Sequence, residues 1–165
     1  MEILNPNVRV GFLPNIISSF FFSGYAPSAS GTVASLLALL FFLIPGFYSV
    51  YILSPLIIIS FILGIFSMSD LLRKYGDDPS VVVIDEAVGM WTAMLVMNLF
   101  GIKLGLMMAT IAFLGFRFFD ITKIYPASYF DRQENSFGVM MDDVVAGIYA
   151  GVASSLIILM FPKIV

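Results

Sequence analysis

Five apolar segments, separated by short polar stretches, limit what this chain can fold into. They cover residues 32–44, 47–68, 87–100, 104–119 and 144–161. A helix needs about 20 apolar residues to cross a bilayer, and the second and fifth segments have this length. The first reaches it only if residues 29–31 join the helix, and the third only if the helix begins near Val81. The fourth is short and is predicted to end near Asp120.

An earlier apolar stretch, residues 10–22, is interrupted by Pro14 and is predicted to form an interfacial or half-inserted helix. The sequence therefore predicts an all-α fold: one membrane-embedded domain over residues 1–165, built as a polytopic helical bundle with about five transmembrane helices. Composition agrees with this expectation, because 60% of the residues are hydrophobic and only 12% are charged. Soluble domains average about 25% charged residues.

Composition also narrows the chemistry. The formal net charge is −3, which argues against a nucleic-acid partner, since binding phosphate backbones requires an excess of Lys and Arg. The chain has no Cys and no His, so disulfides, thiolate nucleophiles and imidazole bases are excluded. Any catalysis must use carboxylates, Lys, Arg, hydroxyl groups, or a metal held by oxygen ligands.

The basic residues predict the orientation in the membrane. With the N-terminus inside and five crossings, six basic residues lie inside and two, Lys103 and Lys163, lie outside. This bias is typical of a cytoplasmic inner face. The same arrangement gathers ten of the eleven acids, all except Glu2, on that face. The inner basic residues are Arg9, Arg73, Lys74, Arg117, Lys123 and Arg132.

Two adjacent acids, Asp85 and Glu86, precede the third apolar segment. Asp85, Gly89 and Ala93 follow at intervals of four, so a stripe of small residues continues from the acid along one helix face. Such a stripe allows a second helix to pack closely. Acids also stabilise helix N-termini through the helix dipole, which is the structural alternative. A carboxylate pair near lipid is costly unless a partner group or a cation compensates its charge, which favours function.

A second acid pair, Asp142 and Asp143, has the same arrangement. It is expected to open the last apolar helix, and Asp143, Gly147, Gly151 and Ser155 repeat at intervals of four. If the two striped helices pack together, four carboxylates meet and repel one another unless a divalent cation lies between them or some of them are protonated. Oxygen ligands alone favour Mg²⁺, or Mn²⁺ in its place.

A third motif combines basic and acidic residues. Arg117, Asp120 and Lys123 are spaced three apart, which places them near one helix face, and Asp131 and Arg132 follow in a polar stretch over residues 125–138. The basic groups are candidates to bind a phosphate, and Asp120 is a candidate metal ligand. An ordinary ion pair at a helix end explains the same spacing.

A loop over residues 24–32 is rich in small and hydroxyl residues and leads into the first apolar helix. Ser30 or Thr32 is expected to cap that helix. With Gly31, these residues form a candidate phosphate-binding helix start, because backbone N–H groups are unpaired there. Other acids, Asp70, Asp77, Asp78 and Glu134, are interpreted as solvated surface.

These motifs, in this order, resemble the phosphatidylglycerophosphatase A family of bacterial lipid phosphatases, from about Gly24 to Gly151. The strings Asp-Glu-x-x-Gly-Met-Trp and Met-x-Asp-Asp-x-x-Ala-Gly are specific when they occur together. Two departures are present: Ser30 precedes Gly31-Thr32 where the family usually has Pro, and Ile124 replaces a Pro after Lys123. The matching strings are residues 24–36, 84–91, 116–120 with Lys123, Pro126 and 130–132, and 138–147.

The resemblance implies a Mg²⁺-dependent phosphatase domain that hydrolyses phosphatidylglycerophosphate to phosphatidylglycerol and phosphate at the cytoplasmic face of a bacterial inner membrane. Asp85, Glu86, Asp142 and Asp143 are the predicted metal ligands and, with Asp120, the predicted catalytic residues. The alternatives are a phosphatase for another membrane lipid phosphate and a non-enzymatic transporter subunit. The predicted substrate-binding residues are Ser30, Gly31, Thr32, Arg117, Lys123, Asp131 and Arg132.

Overall fold

The computed structural model describes residues 5–76, 79–103 and 105–161, and these residues form helices with no strand. The all-α prediction is therefore confirmed. Predictions that involve Glu2, Asp77, Asp78, Lys163 and the first residue of the fourth segment, Leu104, lie outside the described residues. The helices are α1 (Phe12–Ser18), α2 (Ser30–Leu40), α3 (Val50–Tyr75), α4 (Ile84–Leu99), α5 (Leu106–Thr122), α6 (Ala127–Asp131) and α7 (Ser136–Met160), with 3₁₀ turns at Ser23–Tyr25 and Phe41–Leu43.

Two of the described helices, α3 and α7, are long and apolar enough to cross a membrane. In the most apolar stretch of α3 only 17% of residues are buried, against 50% for α7, so α3 is not an ordinary core helix. Helices α4 and α5 have 16 and 17 residues. At 1.5 Å per residue they are about 24–26 Å long, shorter than a hydrocarbon core of about 30 Å. The expected count of about five crossings is not confirmed.

Several predicted boundaries were wrong. Helix α7 begins at Ser136, so Asp142 and Asp143 lie at the end of its second turn and do not open it. Its start is fixed by the side chain of Asn135, which accepts a hydrogen bond of 2.8 Å from the Gly138 N–H. Helix α6 occupies part of the stretch predicted as a polar loop. The length of an apolar run does not register a cap such as Asn135 or a short helix such as α6, which has no side-chain cap.

Helix α4 is the centre of the bundle and packs against α7, α3, α2 and α5. The two stripes of small residues meet between α4 and α7. A Cβ added at Gly147 would overlap the Gly89 carbonyl oxygen, and one added at Gly151 would lie 2.7 Å from the Ala93 carbonyl oxygen. Only glycine allows the two backbones to approach this closely, and the approach brings the acidic ends of the two helices together.

The single tryptophan fixes α4 against the first half of the chain. The Trp91 ring packs edge-on against Phe20 and Phe41, with ring centroids 5.6 and 5.8 Å away. Its indole N–H donates a buried hydrogen bond of 3.1 Å to the Ala38 carbonyl oxygen. The hydrogen bond to Ala38 holds α2 beside α4.

Replacing Trp91 by Phe should lower the free energy of unfolding by about 1–3 kcal/mol, because the buried Ala38 carbonyl oxygen loses its indole donor. Far-UV circular dichroism of the purified protein during denaturation measures the change. Phe66→Leu is the control, because Phe66 is 75% exposed. This substitution should change the free energy of unfolding by less than about 0.5 kcal/mol. Equal losses in the two variants would contradict a structural role for the indole bond.

Candidate active site

Three carboxylates from three helices converge at one end of the bundle. Glu86 lies in the first turn of α4, Asp120 in the last turn of α5, and Asp143 in the second turn of α7. Each offers one oxygen, and these oxygens lie within 4.8 Å of one another. We call these three residues the carboxylate cluster. The close packing of α4 on α7 brings it together, with the ion pairs of Arg117 in α5 to Glu86 and of Lys123, directly after α5, to Asp142.

The cluster opens into a cavity of about 290 Å³. Seven carboxylates line it, and Lys123 is the one cation among the described lining residues. Asp85 and Asp142, both predicted metal ligands, belong to this lining and are buried. The cavity is therefore strongly acidic. The lining consists of Ser30, Gly31, Ser80, Val82, Val83, Asp85, Glu86, Asp120, Lys123, Asp131, Glu134, Val139, Asp142 and Asp143.

Arg117 lies between two members of the cluster. Its Nη1 atom donates to Oε2 of Glu86 and lies 3.0 Å from Oδ2 of Asp120. The guanidinium group therefore joins α5 to α4 and partly offsets the repulsion between the two acids. Arg117 is not one of the described residues that line the cavity. Its predicted role in binding substrate therefore stays a prediction.

Lys123 is held by acids from three elements. Its Nζ atom donates to Oδ2 of Asp142 and lies 3.2 Å from Oδ1 of Asp131 and 3.7 Å from Oδ1 of Asp120. Burial acts to lower the pKa of the Lys123 ammonium, but the negative charges of Asp142 and Asp143 outweigh burial and raise that pKa above its ordinary value. Lys123 is thus a permanent cation inside an acidic cavity.

The start of α2 forms part of the cavity wall, but its capping differs from the prediction. Ala29 holds the N-cap position with a φ of 50°, and no side chain caps the helix. The Ser30 hydroxyl donates instead to the Ser80 carbonyl oxygen, at 2.7 Å, which fixes the loop before α4. Gly31 lies against Glu86, since an added Cβ would overlap Oε1 of that carboxylate. Thr32 is outside the described cavity lining.

Two predicted substrate ligands lie at or beyond the edge of the cavity. Asp131 is exposed, belongs to the cavity lining and pairs with Lys123. Arg132 is exposed, and the described lining does not include it. Asp70 pairs with Arg73 at 4.0 Å on the exposed surface of α3, as expected of a solvated acid.

Sequence reasoning missed three polar residues near the cluster. The Ser35 hydroxyl lies 3.0 Å from Oε2 of Glu86, and its position one turn after Gly31 was the available signal. Ser80 and Glu134 line the cavity. Glu134 was interpreted as solvated surface, and nothing in its local sequence indicated otherwise, because tertiary folding alone brings its loop to the cavity.

A family model described as phosphatidylglycerophosphatase A matches residues 16–158. The chain belongs to the phosphatidylglycerophosphatase A family. The matched range contains all three members of the carboxylate cluster and every predicted site residue. No solved structure matches the chain at a significant level.

Three named proteins are similar to this chain over most of their length. A Bacteroides thetaiotaomicron protein, provisionally named phosphatidylinositol-3-phosphatase, is 37% identical and aligns over 86% of this chain and 91% of its own. A Haemophilus influenzae protein named phosphatidylglycerophosphatase A is 33% identical, over 88% and 90% of the two chains. An Escherichia coli protein of the same name is 27% identical, over 81% and 77%.

Proposed function

We propose that this protein is a Mg²⁺-dependent lipid phosphatase that hydrolyses phosphatidylglycerophosphate to phosphatidylglycerol and inorganic phosphate. The observation that carries the proposal is the convergence of Glu86, Asp120 and Asp143, with oxygens within 4.8 Å of one another, in a member of a family described by this activity. The chain has neither Cys nor His, so phosphatase mechanisms that need a thiolate or an imidazole are excluded.

The donor set fits a divalent cation such as Mg²⁺. Seven carboxylates line the cavity with one lysine, and an anionic phosphate would be repelled from it without further positive charge. Carboxylate oxygens are the ligands that Mg²⁺ prefers. Glu86, Asp120 and Asp143 would hold the ion, with Asp85 and Asp142 at the edge of the same cavity. A bound Mg²⁺ would polarise the phosphate oxygens and offset their negative charge.

The remaining groups of the site have distinct tasks in this proposal. Lys123, which pairs with Asp142, supplies a fixed positive charge to the phosphate. Arg117 keeps Glu86 and Asp120 in place. The oxygen of an attacking water forms a bond to phosphorus and gives a proton to a carboxylate of the site. The bond between phosphorus and the glycerol oxygen breaks, the glycerol oxygen takes up a proton from solvent or from that carboxylic acid, and the water oxygen leaves in inorganic phosphate. An aspartate nucleophile would give the same products in two steps.

The outer surface of the bundle supports an environment in the membrane. Large apolar side chains are exposed along α3, including Ile58, Ile59 and Phe66, and in water they would form an unusually large apolar surface. We place the protein in the bacterial inner membrane as a multi-pass protein, with the cavity on the cytoplasmic side, because a topology with the N-terminus inside and five crossings would put six of the eight basic residues there. The acids cluster at one end of the bundle. A transporter would instead need charged groups spaced along a path across the membrane, so the clustering argues against that function.

A phosphatase for another lipid phosphate is the second candidate, because the Bacteroides relative carries a phosphatidylinositol phosphatase name and shares 37% identity. The purified protein should release phosphate from phosphatidylglycerophosphate in mixed micelles at least about tenfold faster than from phosphatidylinositol 3-phosphate, with free phosphate measured colorimetrically. The reverse preference would favour the second candidate. Failure on both lipids, in protein shown to be folded, would contradict the proposed function.

A further inference from the structure

The Ser35 hydroxyl is a buried group that the proposed reaction does not use directly. Ser35 is fully buried in α2. Its Oγ lies 2.8 Å from the Gly31 carbonyl oxygen and 3.0 Å from Oε2 of Glu86. A hydroxyl has one proton to donate, so the backbone carbonyl and the carboxylate share it.

The contacts of Glu86 fix how its carboxylate is turned. Arg117 and Ser35 both donate to Oε2, while Oε1 occupies the space that a Cβ at Gly31 would fill. A glutamate side chain has three rotatable bonds and loses much rotamer freedom when it is held. Two donors on one oxygen and a backbone contact on the other restrict that freedom before any ligand arrives.

Preorganisation of this kind matters at a cation site. Groups that orient a ligand side chain commonly change metal affinity or activity by about 10- to 100-fold when they are removed. Arg117 serves both Glu86 and Asp120, whereas Ser35 reaches Glu86 from the opposite helix, α2. The hydroxyl is therefore the side-chain hydrogen bond by which α2 acts on Glu86.

We propose that Ser35 is a positioning residue, whose hydroxyl holds the Glu86 carboxylate in the orientation needed to bind a divalent cation with Asp120 and Asp143. This inference rests on the proposed function. It also assigns a role to α2, the helix that carries the small-residue loop, which is to present a hydroxyl and a glycine face to the Glu86 carboxylate.

A serine in α7 provides the matched control that separates a purely structural role of Ser35 from the positioning role. Ser155 is also fully buried, and its hydroxyl donates to the Gly151 carbonyl oxygen, four residues earlier, at 2.7 Å. Ser35 makes the same type of bond to Gly31. Among the described residues Ser155 has no carboxylate partner, so a comparison of the two alanine variants isolates the bond to Glu86.

The test is a titration of the purified protein with Mn²⁺ in the absence of substrate, with free Mn²⁺ followed by electron paramagnetic resonance. Ser35→Ala should weaken Mn²⁺ binding by about 10- to 100-fold, while Ser155→Ala stays within about twofold of wild type. Ser35→Cys keeps the size of the side chain and donates only weakly. The cysteine variant should weaken Mn²⁺ binding as Ser35→Ala does. It takes the place of Ser35→Ala in the titration if the alanine variant does not fold.

Each outcome has a distinct meaning. Unchanged Mn²⁺ affinity in the Ser35 variants, or equal losses in the Ser35→Ala and Ser155→Ala variants, would overturn the positioning role. If wild type itself binds no Mn²⁺, the cation site of the proposed function fails. Wild-type binding with a selective loss in the Ser35 variants supports both proposals.

Discussion

Replacing Asp143 by Asn should lower the Mg²⁺-dependent release of phosphate from phosphatidylglycerophosphate by at least about a hundredfold, since even groups that only orient a metal ligand contribute 10- to 100-fold. Asp143 is buried and lies within 4.8 Å of Glu86 and Asp120 at their ligand oxygens. Asn keeps the shape of the side chain but removes its charge. Initial rates at saturating lipid, with Mg²⁺ varied, measure the effect.

The same variant should be at least as resistant to thermal unfolding as wild type. The negative charges of the cluster repel one another in the absence of a cation, and removing one relieves that repulsion, as often happens at sites where function costs stability. Asp70→Asn, on the exposed surface of α3, is the control and should change neither rate nor stability. An active Asp143→Asn variant would remove Asp143 from the mechanism, and an inactive variant that is also unfolded would give it a structural role.

Replacing Gly147 by Ala should destabilise the protein by about 1–3 kcal/mol, the usual cost of overpacking a well-packed core. The added Cβ would overlap the Gly89 carbonyl oxygen and lie 3.0 Å from Cβ of Thr92, so α4 and α7 must move apart. Asp143 lies one turn away on α7, so activity should fall together with stability. Thermal unfolding in detergent and phosphate release, measured on the same preparation, test both effects.

Gly105→Ala is the matched control for this substitution. An alanine Cβ at Gly105, the residue before α5, would meet nothing within 4 Å, and its φ of −147° suits any residue. We expect a stability change below about 0.5 kcal/mol and full activity. A tolerated Gly147→Ala, matching Gly105→Ala in both measurements, would show that the helices do not depend on close backbone contact.

The pairing of α4 with α7 could be predicted because it depends on the pattern of residues within each helix. Acids followed by small residues at intervals of four indicate a helix face, and two such faces suit each other. The sequence also indicated that Glu86 and Asp143 would lie together, and the structure brings them within one cluster. Spacing alone could not show that Asp120 would join them more closely than Asp85 or Asp142.

Other features depend on contacts between distant residues and could not be predicted. Arg117 and Lys123 both pair with Asp120, as their local spacing suggested, but the spacing could not show that they also pair with Glu86 on α4 and Asp142 on α7. The bond from Ser35 to Glu86 joins residues 51 positions apart. The start of α7 follows the Asn135 cap, and a search for long apolar runs stops at Asp142 and Asp143, so it does not register the helical turns before them.

The Mg²⁺ dependence of the wild-type reaction tests the central claim most directly. The purified protein, freed of divalent cations with EDTA, is assayed on phosphatidylglycerophosphate before and after Mg²⁺ is returned. The carboxylate cluster predicts phosphate release close to background with EDTA and full recovery with Mg²⁺, because the acidic cavity repels the substrate until a cation is present. Release at the same rate with EDTA as with Mg²⁺ would contradict the account.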